Sequence, residues 1–223
     1  MRVLVPIEIL EGDALSPGLI DLLEPLEVVL LGFHELPDQT PPDQARLQYE
    51  ERATDALDDI AEGFDGEVET KLVFTNDREK TMDRMAEELT VDAYVIRGAT
   101  GDVENLLVSL SGQTDADRVG SFVRTLVDGR TIGVTLVVAG EDAATRKEVL
   151  ESVADSLEQS GIDVETRVLP DSSPLDALVE SIPRHDAVVM GEMAPSLSSF
   201  VLGDPEERVA AETVGPVLVV RDT

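Results

Sequence analysis

The sequence predicts an α/β protein built from two doubly wound repeats, each a parallel sheet between helical layers, the first lacking its last helix and strand. Three observations carry this expectation. Short apolar runs that suit strands covered on both faces alternate with segments of helical periodicity, which implies crossover units and a parallel sheet. Two stretches recur: Val68-Glu69-Thr70-Lys71 matches Val164-Glu165-Thr166-Arg167, and Asp92-Ala93-Tyr94-Val95-Ile96 matches Asp186-Ala187-Val188-Val189-Met190. Their offsets, 96 and 94 residues, with the same element order around each, mark an internal duplication. Finally, the first repeat runs from its fourth strand almost directly into the second, which leaves no room for a closing helix and strand.

Taken in order, residues 2–7 form the first apolar run and the first strand. Residues 12–17 are loop, and 18–23 form a short helix ended near Pro25. Residues 27–33 are a second buried strand. After a loop with Pro37, Pro41 and Pro42, the longest helix spans about 43–63, with Leu47, Ala53, Leu57, Ile60, Ala61 and Phe64 at helical spacing on one side. Strand 67–74, helix 78–89 and strand 92–96 complete the repeat. The second repeat offers strand 105–110, helix 115–127, strand 131–139, helix 143–159, strand 163–169, helix 174–182, strand 186–190, helix 205–214 and strand 216–220. With the junction near 99–103, the division is 1–101 and 102–223. The apolar strand 216–220 is expected at the edge of the sheet, where it would pair with a second copy and make a homodimer. Coverage of that edge by a loop or by the first repeat is the alternative.

Composition bounds the function. With 47 acidic against 17 basic residues the net charge is −30, and the acids divide evenly, 24 in residues 1–101 and 23 in 102–223. An even coat with only three lysines among its bases reads as adaptation to a salt-filled cytoplasm, where self-repulsion is screened. No basic stripe is present, which disfavours nucleic acid as a partner. No cysteine occurs, so disulfides and thiolate chemistry are excluded. The only histidines, His34 and His185, lie in different repeats, and a zinc site is not expected. No apolar run approaches the roughly 20 residues that cross a bilayer, and the first residues lead directly into an acidic segment, unlike a signal peptide. The expectation is a cytoplasmic protein without direct membrane insertion.

The last stretch carries the most information. A buried strand ends at Gly191, a serine-rich loop leads to Gly203, a helix follows Asp204-Pro205, and Val217-Leu218-Val219-Val220 closes the chain. This resembles the closing segment of the universal stress protein (UspA-like) family, with its Rossmann-like fold. There a strand ends in G-x-x-G, about nine residues follow, then Gly-Ser or Gly-Thr, a helix and a V-L-V-V strand. The resemblance implies ATP or AMP as ligand, its phosphates held by these glycines and hydroxyls and its ribose or base near an Asp at the end of the first strand. Carried over, the candidate nucleotide site of the second repeat is Gly191, Ala194, Ser196, Ser198, Ser199, Gly203 and Ser111. Ala194 replaces the second glycine, Asp204 stands where Ser or Thr belongs, and Ser111 stands where the first strand should deliver Asp. A carboxylate in place of the hydroxyl repels phosphate by about 1 kcal/mol or more once water is excluded. Asp204 is equally an N-cap for the helix opened by Pro205. In the first repeat Gly98-Ala99-Thr100-Gly101 is an intact G-x-x-G and Glu8 stands at the end of the first strand, but the second glycine motif is missing. A tight linker turn explains Gly98 and Gly101 as well.

Ser111-Gly112-Gln113-Thr114-Asp115-Ala116 resembles the S-G-G-x-D-S loop of ATP pyrophosphatases, but differs at the two positions that cradle pyrophosphate. The simpler reading is a polar loop in which Asp115 caps the next helix. No Ser-His-Asp arrangement is evident, and the carboxylates are too numerous for a general acid–base pair to stand out. No catalytic residue is assigned. The resemblance implies a non-enzymatic stress-response or regulatory protein. It either binds adenine nucleotide through the second repeat or has lost the ligand and keeps the scaffold for a protein partner such as a membrane transporter, and the altered motif favours the second.

Overall fold

The first half consists of β1 (Arg2–Glu8), α1 (Pro17–Leu23), β2 (Glu27–Glu35), α2 (Pro42–Ala61), β3 (Glu69–Thr75), α3 (Arg78–Glu88) and β4 (Ala93–Ile96). The second half continues with β5 (Asn105–Ser109), α4 (Ala116–Val127), β6 (Gly133–Val138), α5 (Ala143–Glu158), β7 (Val164–Val168) and α6 (Pro174–Ser181). A 3-10 turn at Ile182–Arg184 leads into β8 (Ala187–Gly191) and β9 (Val217–Val220). The computed structural model describes the chain except for residues 13, 38–39, 97, 112–114, 139–142, 170–173, 193–214 and 223, and except for the side chains of 79, 143–146 and 174–177. The helix expected over 205–214 therefore lies outside the described residues.

All nine strands join one sheet in the order β3-β2-β1-β4-β9-β8-β5-β6-β7. Neighbours run parallel except β4 and β9, which pair antiparallel with Ala93 opposite Val220 and Ile96 opposite Val217. Each half repeats the same order outward from that seam, and β9 is the fifth strand of the second half alone. This is the α/β, doubly wound arrangement expected, with both repeats merged into one sheet. The alternation along the strands explains the layers. Val3, Val5, Leu30, Val95, Leu106, Val108, Leu136 and Leu218 face one side, with Leu19 and Leu22 of α1, Leu57 of α2, Phe122 and Leu126 of α4 and Val153 of α5. Leu4, Val29, Leu31, Tyr94, Leu107, Val188, Val217 and Val219 face the other, with Met82 and Met85 of α3 and Leu178 of α6.

Two expectations are corrected. The strand at 216–220 is not an edge: β9 is paired on one side with β8 and on the other with β4, and all four of its residues are fully buried. A second copy has no free ladder to join there; the first repeat covers it. Leu47 does not share the buried side of α2 and is 90% exposed. The face that packs runs through Ala45, Tyr49, Ala53, Leu57 and Ile60, and Leu47 lies two positions from Ala45, about 200° round the helix.

Polar contacts and close packing fix the strand ends around the seam, and one of them joins the two halves. Between β4 and β5 the chain crosses the top of the seam, and the Asp186 carboxylate accepts from the Glu104 and Asn105 N–H groups, both at 2.9 Å. A Cβ on Gly215 would stand 1.8 Å from the Asp186 carbonyl oxygen, so only glycine lets β9 enter beside it. Arg130, after α4, donates to the carbonyls of Asp21 (2.7 Å) and Leu22 (2.9 Å) at the end of α1 and to that of Leu126 in its own helix. One guanidinium thus satisfies orphan carbonyls of two helices, one from each half. Burial lowers its pKa from the ordinary arginine value, while Glu24 and Asp21 act in the opposite direction. Among the described residues no helix is long and apolar enough to cross a membrane.

The same crossing segment lies on α1: a Cβ on Gly18 would meet the Gly101 carbonyl oxygen at 1.7 Å, whereas a Cβ on Gly101 would find open space. Helix propensity alone favours Gly18→Ala by about 1 kcal/mol. The close approach reverses the sign: we expect Gly18→Ala to lose about 1–3 kcal/mol in urea unfolding. Gly101→Ala should change stability by no more than about 0.5 kcal/mol.

Candidate functional site

In an open parallel α/β sheet, ligands bind outside the carboxyl ends of the strands where the order reverses. In the second half that point lies between β5 and β8. Gly191 ends β8 there, fully within the ladder and opposite Val220. Ser111 follows β5, its N–H donating to Ser109 Oγ at 3.3 Å. The β5–β8 register pairs Ser109 with Met190, so two positions further on Ser111 stands beside Glu192. Ser111 and Gly191 therefore lie at the carboxyl ends of the adjacent strands β5 and β8. Ala194, Ser196, Ser198, Ser199 and Gly203 lie outside the described residues.

Residues not singled out from the sequence complete this edge. Glu192 is 6% exposed immediately after Gly191. Its N–H continues the ladder to the Val220 carbonyl (2.8 Å), and its Oε2 accepts from the Asp222 N–H at 3.4 Å. Its Oε1 lies 4.0 Å from Arg221 Nε, with both side chains largely buried. Asp92, which precedes β4, reaches the same edge because β4 runs against β9. Its carboxylate accepts from the Arg2 N–H (2.8 Å) and from Arg118 Nη2 of α4 (3.0 Å), and its carbonyl accepts from the Arg221 N–H (2.9 Å). The Arg2 guanidinium in turn donates to the Leu89 carbonyl and pairs with Glu69. The only clue available beforehand was the charge at the second position of G-E-M-A.

Reversal at the seam sends the carboxyl ends of the first half to the opposite edge of the sheet. Glu8 closes β1 there, half-buried and in register with Phe33. Gly98 and Gly101 lie in the crossing segment: the Thr100 N–H donates to Ser16 Oγ at 3.3 Å, and the Gly101 carbonyl rests on Gly18. Asp115 caps α4, its carboxylate accepting from the N–H groups of Asp117 (2.9 Å) and Arg118 (3.2 Å); residues 112–114 of the pyrophosphatase-like loop lie outside the described residues.

Both histidines are structural in geometry. His34 packs edge-on against Tyr49 and Phe74, and His185 bridges the Ser181 carbonyl (2.8 Å) and Thr135 Oγ1 (3.0 Å). Among the described residues no group of three or more His, Asp or Glu is placed to hold a metal ion.

No family model matches the sequence, and no curated protein is similar to it. Solved structures do match. A universal stress protein from Archaeoglobus fulgidus DSM 4304 is 15% identical with a TM-score of 0.70, over 99% of this chain and 96% of that one. The fold is that of the universal stress proteins. A Pseudomonas aeruginosa UCBPP-PA14 protein assigned to the same group is 14% identical (TM-score 0.54, 99% and 92% covered). The cytoplasmic domain of a prokaryotic cation chloride cotransporter is 12% identical (TM-score 0.50, 99% and 95% covered). At these identities the likeness establishes architecture, in which the universal stress protein sheet of the A. fulgidus protein extends over both halves of this chain.

The amino end of α3, at the first-half edge, is closed by its own acid. Asp77 accepts from the Lys80 N–H at 3.1 Å and from its ammonium group. The Lys80 ammonium, then its backbone N–H, hold the Asp77 pKa below the ordinary 3.8. A carboxyl whose folded pKa is depressed contributes stability above its unfolded pKa and loses it as the pH falls through the folded one. Asp77→Asn should therefore melt below the parent protein near neutral pH, and the two should converge as the pH drops below 3.8, read as the difference in Tm across a pH series.

Proposed function

We propose that this protein is a cytoplasmic regulatory or stress-response protein of the universal stress protein kind, without catalytic activity, whose nucleotide site in the second half is degenerate and whose scaffold serves contacts with another protein. The observation that carries this reading is Glu192. A carboxylate that is 6% exposed sits directly beyond the glycine that ends β8, at the position where the family resemblance would place phosphate. An anion arriving there finds the nearby cation, Arg221, already opposed by a fixed carboxylate, in a partly dry environment where such charges are least screened. Ala194 in place of the second glycine and Asp204 in place of a hydroxyl act in the same direction. On the other side of the sheet, the crossing segment packs on α1 where a first-half phosphate loop would open. Use of this fold as the cytoplasmic domain of a cotransporter supports a scaffold role.

The second reading, an ATP- or AMP-binding regulator, draws on the convergence of Ser111 and Gly191 at one switch point. Thermal unfolding in high salt with ATP, ADP and AMP separates the two. Ligand at 100 times its dissociation constant stabilises by about 2.7 kcal/mol, roughly 5–10 °C for a chain of this length. We expect no such shift with any of the three; a shift of that size, or nucleotide released on denaturation and seen by mass spectrometry, would establish the nucleotide-binding reading instead.

A further inference from the structure

We infer that Glu192 is a built-in counter-anion: its carboxylate neutralises Arg221 in the place an external phosphate group would take, and this pair sets the second half against anionic ligands. The inference rests on the reading of that site as degenerate and gives it a specific cause. Glu192 and Arg221 are fixed by backbone, since the Glu192 N–H bonds to Val220 and the Arg221 N–H to Asp92, so both side chains leave rigid ladder positions on adjacent strands. Their side chains are 8% and 14% exposed. A guanidinium so withdrawn from water requires a counterion, and removing that counterion leaves an uncompensated buried charge. The existing pair is loose. At 4.0 Å it is an ion pair rather than a hydrogen bond, and Arg221 Nε is buried with no hydrogen-bond acceptor among the described residues. Of the other arginines at this edge, Arg118 bonds to the Asp92 carboxylate and Arg2 pairs with Glu69, whereas Arg221 is the one that faces Glu192.

A phosphate monoester or inorganic phosphate fits that vacancy of charge once Glu192 is neutral, because guanidinium pairs with phosphate oxygens through a planar fork of donors. Glu192→Gln keeps an oxygen for the Asp222 N–H and removes the charge. Thermal unfolding of the parent protein, Glu192→Gln and the double variant Glu192→Gln/Arg221→Gln is compared in chloride and in phosphate at equal ionic strength, with AMP as a second probe. The double variant reports the general stabilisation that phosphate gives any protein surface.

The expected result is that Glu192→Gln melts several degrees below the parent in chloride and recovers in phosphate or AMP by more than the double variant does. Titration calorimetry with inorganic phosphate should then show binding by Glu192→Gln alone. Equal phosphate gains in the single and double variants, with no calorimetric binding, would overturn the inference and leave the proposed function standing. Binding of AMP by the parent protein would instead overturn the proposed function. Should Glu192→Gln fail to fold in chloride, its folded fraction after refolding in phosphate is compared with that of the double variant: a larger recovery supports the counter-anion role, and an equal or smaller one refutes it.

Discussion

One backbone ladder sets everything else: β9 against β4. The first half ends at β4, whose Ala93, Tyr94 and Val95 are apolar and would otherwise present an unpaired edge. The second half ends at β9, equally apolar. Pairing them antiparallel closes both edges at once, so a single fifth strand completes both sheets. The outer edges left over are β3 and β7, and both are protected in the usual way, by charge. Lys71 pairs with Glu69 on β3, and Arg167 forks onto Glu165 on β7.

The direction of that pairing follows from the length of the link. Residues 97–104 connect β4 to β5, which stand three strand spacings apart, about 14 Å. Eight residues reach roughly 26 Å when extended. That is ample along one edge of the sheet, but a parallel arrangement would require return across its whole height, a crossover that takes a dozen residues or more. The halves are therefore forced head to tail, and the two carboxyl-end crevices open on opposite edges. Close packing of the link on α1 follows from the same economy of length, which is why glycine is required at Gly18.

Local periodicity made the elements legible. The strands and helices read from the sequence fall within one or two residues of those observed wherever they are described, because each apolar run either alternates or repeats at helical spacing. What periodicity could not convey was pairing across the seam. An apolar strand at the end of a chain looks the same whether it faces a second copy or the first half of its own chain, and only the short link, read as a geometric limit, distinguishes them. Leu47 escaped for a related reason: a helix rich in Ala, Leu and charges offers more than one apolar stripe, and packing selected the one through Ala45, Tyr49 and Ala53. The site was legible only as far as Ser111 and Gly191. Asp92, Arg118 and Arg221 are far apart in sequence and meet because β4 is reversed, a fact of tertiary structure that no motif encodes.

The scarcity of lysine also takes on a structural meaning at the seam. Among the described residues, the cations that join the halves through their side chains are Arg118, which reaches Asp92, and Arg130, which reaches the end of α1. Arg130 uses two donors at once on three carbonyl oxygens, which a planar guanidinium with fixed donors does and a strongly hydrated ammonium does not. Lys80 and Lys147 instead pair with acids in their own helix turns at the surface, and Lys71 with a neighbour on its own strand. In a chain with 47 acids, the few bases retained in buried contacts are therefore those whose geometry the junction needs. Asp92, the acid that Arg118 reaches, belongs to the framework before it belongs to any ligand. A nucleotide at this edge would have to compete with the Asp92–Arg118 contact that joins the halves and with the Glu192–Arg221 pair beside it.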